Sequence, residues 1–207
     1  MSNISVIVRS TSENTSKILV QSLNKQISKD DSLVILDESV SFPIKLFSSY
    51  KVAIELSNEY SLIIDADILV KKNFISRVKK LIKTLPKNNS GFGLRVFDRF
   101  YYRPKFRGVH IYRTSVLSIL INFFPLEKNI LRPEAFLKGK LNEYDLAWNN
   151  NHSKYIAGMH DFYQFSEDMV YKSYIRANRN KVDVSLIKKN ISSEKSYDRD
   201  SILLGFE

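Results

Sequence analysis

The chain of 207 residues contains no cysteine and few glycines or prolines, six and five respectively. Without cysteine, it can form neither a disulfide framework nor a thiolate metal site. Its longest apolar stretch, from Val116 to Pro125, is much shorter than the roughly 20 residues that cross a bilayer as a helix. The amino terminus carries no basic leader and no small-residue cleavage site, so we expect no secretion signal and a cytoplasmic location.

What the sequence does contain is an ordinary globular composition with an excess of positive charge. Hydrophobic residues make up 43% of the chain, charged residues 26%, and the formal net charge is +10. These proportions are typical of a soluble protein, and the length suits a single domain. The positive balance predicts an anionic partner.

Basic residues concentrate in two segments. The segment 71–83 is most simply the solvated face of a helix. In the segment 95–113, arginines and lysines are interleaved with phenylalanines and tyrosines. Such a segment suits a diphosphate, a nucleic acid, anionic lipid head groups or an acidic acceptor.

The first half of the chain alternates short apolar runs with segments of helical periodicity. Strands are predicted at 4–8, at 33–36 and in the run that begins at Ser61, and a helix is predicted after each of them. This βαβαβα order predicts a parallel sheet flanked by helices.

The second half has a different pattern. Aromatic and β-branched residues in 92–112 predict strands and loops, and helices are expected over 115–124 and 163–178. The stretch 132–155 between these helices is expected to be irregular. We predict one domain over residues 1–180, followed by a C-terminal tail at 181–207.

The most informative feature is the pair Asp65 and Asp67, which follows the apolar run Leu62-Ile63-Ile64. Side chains alternate between the two faces of a strand, so residues two apart point the same way. Two carboxylates beside an apolar core are costly unless a cation or hydrogen-bond donors compensate them. Oxygen ligands at a strand end suit Mg²⁺ or Mn²⁺ with a phosphate-bearing ligand. The alternative, a pair that caps a helix or lines a solvated loop, stays open.

The opening strand, the strand ending at Asp37 and the segment from Leu62 to Phe74 resemble the nucleotide-sugar half of GT-A glycosyltransferases of the family 2-like, Asp-x-Asp type. The likeness covers about the first 90 residues, and it extends more loosely to 108–113 and 158–164. It implies an α/β, GT-A-like fold: a Rossmann-type, mostly parallel sheet flanked by helices, with a smaller acceptor-side part from about 91 to 180.

The same resemblance implies an activity and a cofactor. The chain would move a sugar from a nucleotide-sugar donor, a UDP- or GDP-sugar, to a glycan or lipid-linked acceptor. Mn²⁺ or Mg²⁺ would stabilise the diphosphate leaving group as a Lewis acid. The anomeric outcome, inverting or retaining, stays open.

The resemblance further implies roles for single residues. Asp67 would be the main metal ligand, Asp65 would contact ribose or the metal, and His160 would be a further metal ligand. An equal alternative for His160 is that it caps the helix that follows. The implied donor-binding residues are Arg9, Asp37, Asp65, Ala66 and Asp67.

An inverting transferase also needs a carboxylate that takes the proton of the acceptor hydroxyl. The candidates in the second half are Glu143, Asp145 and Asp161, although at least one of the first two is more simply a solvated loop residue. The candidate contacts to the diphosphate or the acceptor are Arg103, Arg107, His110 and Arg113.

Two other functions stay open. A nucleic-acid-binding module would use the basic aromatic segment 95–113, but no recognised nucleic-acid motif is present, which disfavours this partner. A metal-dependent nucleotidyltransferase would normally have a glycine-rich loop after its first strand, whereas Arg9 to Glu13 contains no glycine. The basic surface and the apolar segment 116–124 also allow peripheral contact with the inner face of a membrane, although a buried helix explains the apolar segment equally well.

Overall fold

Strands and helices alternate through the first 83 residues as the apolar pattern predicts, except that two strands, Tyr60–Asp65 and Ile68–Val70, follow one another. The computed structural model describes residues 2–99, 101–125, 130, 132–150, 152–161 and 166–180. The predicted tail at 181–207 lies outside the described residues.

The strands are β1 (Ile4–Ser10), β2 (Ser32–Asp37), β3 (Tyr60–Asp65), β4 (Ile68–Val70), β5 (Asn89–Asp98), β6 (Arg103–Arg113), β7 (Ala147–Trp148) and β8 (Ile156–His160). The helices are α1 (Ser16–Asn24), α2 (Phe42–Leu56), α3 (Phe74–Lys83), α4 (Thr114–Leu120), α5 (Pro133–Lys140) and α6 (Ser166–Asn180). Short 3₁₀ helices cover Ile121–Phe123 and Leu141–Tyr144.

These strands form one sheet in the order β2-β1-β3-β6-β5-β8-β4, with β7 beside β5. The pairs of β1 with β2 and β3, and of β5 with β7 and β8, are parallel. Strand β6 runs antiparallel between β3 and β5, and β4 is antiparallel to β8. The predicted fold class, a Rossmann-type, mostly parallel sheet flanked by helices, is confirmed.

The apolar runs form central strands because both faces of the sheet are covered. In β1, Val6 and Val8 belong to a core that includes residues of α1 and α3. Ile7 points to the opposite face and belongs to a core that includes residues of α2 and α4. Burial on both faces explains why these strands are continuously hydrophobic instead of alternating with polar residues.

Strand β3 ends at Asp65, so the interpretation of Asp65 and Asp67 as neighbours on one strand face is wrong. Ala66 and Asp67 form a turn, and β4 begins at Ile68. Asp65 and Asp67 nevertheless line the same cleft. It is the turn, and not strand pleating, that brings them there.

The second half is more ordered than its sequence pattern indicates. The stretch 132–155 contains α5, a 3₁₀ helix and β7, so the prediction of irregular structure is wrong. Pro133 opens α5, where its fixed φ angle suits the first helical turn. The last helix begins at Ser166, and residues 163–165 of its predicted start lie outside the described residues.

The helix predicted over 115–124 is α4 followed by a 3₁₀ turn, and its residues Val116, Leu117 and Leu120 are buried. This agrees with the explanation of the apolar segment as a buried helix. Among the described residues, no helix combines the length and the apolar character needed to cross a membrane.

Candidate active site

A cleft of about 710 Å³ opens beside the ends of β3 and β8 and the start of α5 and is bordered by α6. It lies at the edge of the sheet where open α/β proteins bind ligands, the carboxyl ends of the parallel strands. The lining residues are Phe42, Asp65, Asp67, Lys105, Phe106, Arg107, Gly108, His110, Arg132, Pro133, Glu134, Ala135, Lys138, Asn150, His160, Tyr171, Lys172 and Ile175.

The turn between β3 and β4 is fixed by backbone hydrogen bonds on both sides. The Ala66 N–H donates to the Arg9 carbonyl at 2.9 Å, and the Thr15 hydroxyl donates to the Ala66 carbonyl at 2.5 Å. The Asp161 N–H donates to the Asp67 carbonyl at 3.1 Å. The turn therefore holds Asp65 and Asp67 in a defined position relative to β1 and β8.

Arg9 is the central cation on one side of this turn. Its guanidinium is almost fully buried and contacts Asp65 Oδ1 through Nε at 2.8 Å and Nη2 at 2.6 Å. Its Nη1 donates to Glu134 Oε1 at 2.9 Å. A buried guanidinium needs such partners because desolvation of an unpaired charge is costly.

The two carboxylates around Arg9 have opposite pKa shifts. Burial raises the pKa of Asp65 to about 6, against the opposing effect of Arg9. Burial alone would also raise the pKa of Glu134. The contacts of Glu134 with His110 and Arg9 outweigh the effect of burial and hold the pKa of Glu134 well below its usual range. The Arg9 charge thus favours the ionised form of both carboxylates.

Gly108 of β6 allows the backbone to approach Asp65 closely. Its φ is +56°, a conformation that side chains with a Cβ disfavour. A Cβ at this position would lie 2.6 Å from Asp65 Oδ2 and 2.8 Å from Ile68 Cδ1. Only glycine fits here without moving the Asp65 carboxylate.

On the other side of the turn, His160 lies among three carboxylates. Its Nε2 is 3.5 Å from Asp67 Oδ2, and its Nδ1 is 2.9 Å from Asp161 Oδ2 and 3.5 Å from Asp98 Oδ2. Burial by itself would lower the pKa of His160, but Asp161 and Asp67 outweigh it and raise the pKa to about 10. The imidazole is therefore protonated at neutral pH in the metal-free protein.

Two more cations balance these carboxylates. Lys172 of α6 places Nζ 3.1 Å from Asp67 Oδ2 and 2.6 Å from Asp161 Oδ1. Arg107 of β6 forms an ion pair with Asp98, with its Nε 2.7 Å from Asp98 Oδ2. Three carboxylates and three cationic groups thus meet here, and the cluster is close to electrically neutral.

The donor set fits a divalent cation. Asp67, His160 and Asp161 each offer one ligand atom, and these atoms lie within 4.8 Å of one another. Asp67 Oδ1 is buried and accepts no hydrogen bond from any described residue. Two carboxylates with one imidazole nitrogen are ligand types that a divalent cation takes in proteins, and Lys172 shows that positive charge is favoured where the carboxylates converge.

A second cluster of polar residues lines the cleft around Glu134. His110 Nε2 is 3.3 Å from Glu134 Oε2, and Lys138 Nζ is 3.0 Å from His110 Nδ1. Burial lowers the pKa of Lys138 to about 8, and burial and the Lys138 charge lower the pKa of His110. The Lys138 ammonium also lies 4.1 Å from the ring centroid of Trp148, the single tryptophan of the chain.

The structure brings many of the predicted site residues together. Asp65, Asp67, His160, Arg107 and His110 line the cleft, Arg9 and Asp161 contact its lining residues directly, and Ala66 lies between Asp65 and Asp67 in the turn. Their catalytic and binding roles stay predictions. His160 is the last residue of β8 and pairs with residues of β4 and β5.

The remaining predicted residues do not line this cleft. Asp37 and Asp145 are exposed, and Glu143 is exposed and paired with Lys140 at 2.5 Å. Arg103 is exposed at the start of β6. Arg113 donates to the carbonyls of Asn89 and Pro86 instead.

Sequence reasoning missed four charged residues of the site: Asp98, Glu134, Lys138 and Lys172. Glu134 carried a local signal, because it follows Pro133 and precedes Leu137 at helical spacing, which is typical of a helix start. Lys172 and its partner Asp67 are 105 residues apart, so no local pattern indicates their contact.

The sheet order, the turn after β3 and the cleft define a class of protein by fold: this is the GT-A type of nucleotide-sugar α/β fold. The chain resembles the mannosyltransferase PcManGT from Pyrobaculum calidifontis, solved in complex with GDP-Man and Mn²⁺, with a TM-score of 0.54 and 11% identity. The match covers 98% of this chain and 68% of that one. It also resembles S. aureus TarS, with a TM-score of 0.51, 16% identity and 99% of this chain covered.

The same fold occurs in a cytidylyltransferase from Leptospira borgpetersenii, with a TM-score of 0.51, 14% identity and coverage of 95% of this chain and 99% of that one. The chain spans only 42% of the length of the TarS structure. No family model and no curated protein matches the sequence. These likenesses show the fold.

Proposed function

We propose that this chain is a metal-dependent glycosyltransferase that moves a sugar from a UDP- or GDP-sugar to a glycan or lipid-linked acceptor. The observation that carries the proposal is the meeting of Asp67, His160 and Asp161 in the cleft of a GT-A fold. Support comes from the similar fold of PcManGT, which was solved with GDP-Man and Mn²⁺.

In this proposal, Asp67, His160 and Asp161 hold the divalent cation, Mn²⁺ or Mg²⁺. When bound, the cation supplies Lewis-acid stabilisation of the diphosphate leaving group. Asp67 has an unused buried oxygen for this purpose. His160 would have to give up its proton to become a ligand, because only the neutral imidazole coordinates a metal.

Arg9 and Asp65 shape the donor side of the cleft. Arg9 neutralises Asp65 and Glu134 and holds both carboxylates at fixed positions, so Asp65 can accept hydrogen bonds from a ribose hydroxyl. Arg107 lines the cleft with its guanidinium on Asp98 and adds positive charge that favours a diphosphate.

The acceptor side is proposed to be the wall formed by Glu134, His110 and Lys138. Its hydrogen-bonding groups suit the hydroxyls of a sugar acceptor. Of the three carboxylates proposed as the base, Asp161 alone contacts the cleft-lining cations directly. Peripheral membrane contact stays a proposal for a lipid-linked acceptor.

Calorimetry with UDP, GDP, CDP and their sugars tests this function, with and without Mn²⁺. We expect one nucleotide to bind only when Mn²⁺ is present, and Asp67→Asn to abolish this binding. Asp30→Asn is the matched control, because it removes the same charge at an exposed position that does not line the cleft. Metal-independent binding, or equal binding by Asp67→Asn, would overturn the proposal.

A nucleotidyltransferase is the second candidate, and the resemblance to two cytidyl-transferring proteins favours it. Such an enzyme would release pyrophosphate from a nucleoside triphosphate, whereas a glycosyltransferase would release a nucleoside diphosphate from a sugar nucleotide. Product analysis of CTP and of each sugar nucleotide after incubation with the protein and Mn²⁺ separates the two reactions.

A further inference from the structure

We propose that Lys172 and a divalent cation compete for the same carboxylate oxygens, so that Lys172 sets the metal affinity of the cleft. The inference rests on the proposed function, which places a cation among Asp67, His160 and Asp161. It assigns a role to Lys172 of α6. Substitution of Lys172 should strengthen metal binding, whereas substitution of a metal-ligating side chain should weaken it.

The contacts of Lys172 carry this inference. Its Nζ lies 2.6 Å from Asp161 Oδ1 and 3.1 Å from Asp67 Oδ2, so one ammonium bridges two of the three residues of the metal-capable group. Mn²⁺ or Mg²⁺ would take oxygens of the same carboxylates at distances of about 2.0–2.2 Å. An ammonium and a divalent cation on these carboxylates would repel each other in a poorly solvated site, so lasting occupation by both is unfavourable.

The position of Asp67 provides a way to exchange the two cations. Asp67 Oδ2 contacts Lys172, but Oδ1 is buried and accepts no hydrogen bond from the described residues. An incoming cation can therefore contact Oδ1 before Lys172 leaves Oδ2. The carboxylate is thus never left buried without a positive partner, which would be the costly state.

Helix α6 allows Lys172 to leave without unfolding. Met169 and Ser173 are fully buried and anchor the helix, whereas Tyr171, Lys172 and Ile175 line the cleft. The Lys172 side chain is 28% exposed, so rotation about its flexible stem brings the ammonium into solvent. The helix can then stay in place while the cation takes the carboxylates.

Titration of Mn²⁺ into the full chain, with free Mn²⁺ measured by electron paramagnetic resonance, tests the competition. We expect Lys172→Met to bind Mn²⁺ about tenfold or more tightly than the wild type, the scale of one charge-assisted hydrogen bond. Lys138→Met is the matched control, because it removes the same charge from the lining of the same cleft. Lys138 contacts His110 and Trp148 instead of the proposed metal ligands. Its affinity should change less than about threefold, since it is not in contact with the ligand set.

If Lys172→Met and Lys138→Met gain Mn²⁺ affinity equally, a general effect of charge explains the gain, and the proposed competition is overturned. An unchanged affinity in Lys172→Met would overturn the inference while leaving the metal site and the proposed function intact. No Mn²⁺ binding by any of the three proteins would overturn both.

A second measurement uses the wild-type chain alone and does not depend on whether the variant folds. The rate of acetylation of each lysine is followed by mass spectrometry with and without Mn²⁺. We expect Mn²⁺ to accelerate the acetylation of Lys172 severalfold because its ammonium loses two carboxylate partners, whereas Lys138 should react at an unchanged rate. Equal rates at Lys172 with and without saturating Mn²⁺ would overturn the inference.

Discussion

Arg9 and Asp65 face each other in register across the parallel pair β1–β3, and two nitrogens of the guanidinium contact the same carboxylate oxygen. The third nitrogen contacts Glu134, which is 125 residues away along the chain. One buried cation therefore connects the turn that carries the Asp-x-Asp pair to the helix on the opposite side of the cleft.

We expect Arg9→Met to destabilise the protein by about 3 kcal/mol, because it leaves two carboxylates without their cation in a poorly solvated site. Urea denaturation measures this change. Arg9→Lys should recover part of the loss, since an ammonium restores the charge but cannot reach both carboxylates with a planar fork. If Arg9→Met unfolds at the wild-type midpoint, the guanidinium does not hold the two carboxylates together.

Gly108 offers a sharp test of the geometry around Asp65. We expect Gly108→Ala to cost about 2 kcal/mol or more, because a Cβ would require a strained φ and would lie 2.6 Å from Asp65 Oδ2. Nucleotide binding should fall with it. The matched change Gly139→Ala lies in α5, where no atom is within 4 Å of the new Cβ, and should stabilise by roughly 0.5–1 kcal/mol. Thermal denaturation of both variants gives the comparison, and opposite signs are expected.

The pH dependence of stability reports on His160. Its pKa is about 10 in the folded protein against 6.5 for a free imidazole, so the folded state keeps a proton that the unfolded state loses. The free energy of unfolding should therefore fall as pH rises above 6.5, by up to about 1.4 kcal/mol per pH unit. His160→Gln should remove this slope.

The measurement is urea denaturation in EDTA between pH 6.5 and about 8. Above that range Lys138, whose pKa is lowered to about 8, contributes with the opposite sign, because its burial cost disappears when it loses its proton. An identical slope in the wild type and in His160→Gln would mean that the imidazole carries no extra proton in the fold.

Asp161 combines a strained backbone with two charged partners. Its φ is +58°, a region that asparagine and aspartate tolerate better than other residues with a Cβ. We expect Asp161→Asn to destabilise the protein by about 3 kcal/mol, because it removes the buried charge that pairs with Lys172 and His160. It should also weaken Mn²⁺ binding at least tenfold, because one negative ligand is lost. Asp161→Ala should weaken Mn²⁺ binding similarly and also cost about 1 kcal/mol of backbone strain. Equal Mn²⁺ affinity in Asp161→Asn and the wild type would exclude this residue as a ligand.

The sequence predicts those parts of the molecule that depend on neighbouring residues. The run before Asp65 becomes β3 because five consecutive residues are buried on both faces, and this pattern is visible without a structure. Strand β4 has three residues and β7 has two, so neither is long enough to show periodicity. Their pairing partners, β8 for β4 and β5 for β7, are distant in the sequence.

The candidate site likewise contains some residues that local sequence reveals and others that only the folded structure reveals. Asp65 and Asp67 could be found because they follow an apolar strand, and His160 because of its place in the family resemblance. The partners that set their charge, Lys172 and Glu134, become visible only once α5 and α6 are packed on the cleft. The state of the carboxylates therefore depends on residues that sequence patterns alone do not connect.

Strand β8 lies inside the sheet, with His160 paired to Ile68 on one side and Asp98 on the other, whereas Lys172 is on a helix at the border of the cleft. Displacing His160 would disturb two strand pairs at once, whereas the Lys172 side chain takes part in no strand pair. The wall that carries His160 is therefore held by the sheet, whereas the wall that carries Lys172 can adjust to a ligand through a single partly exposed side chain.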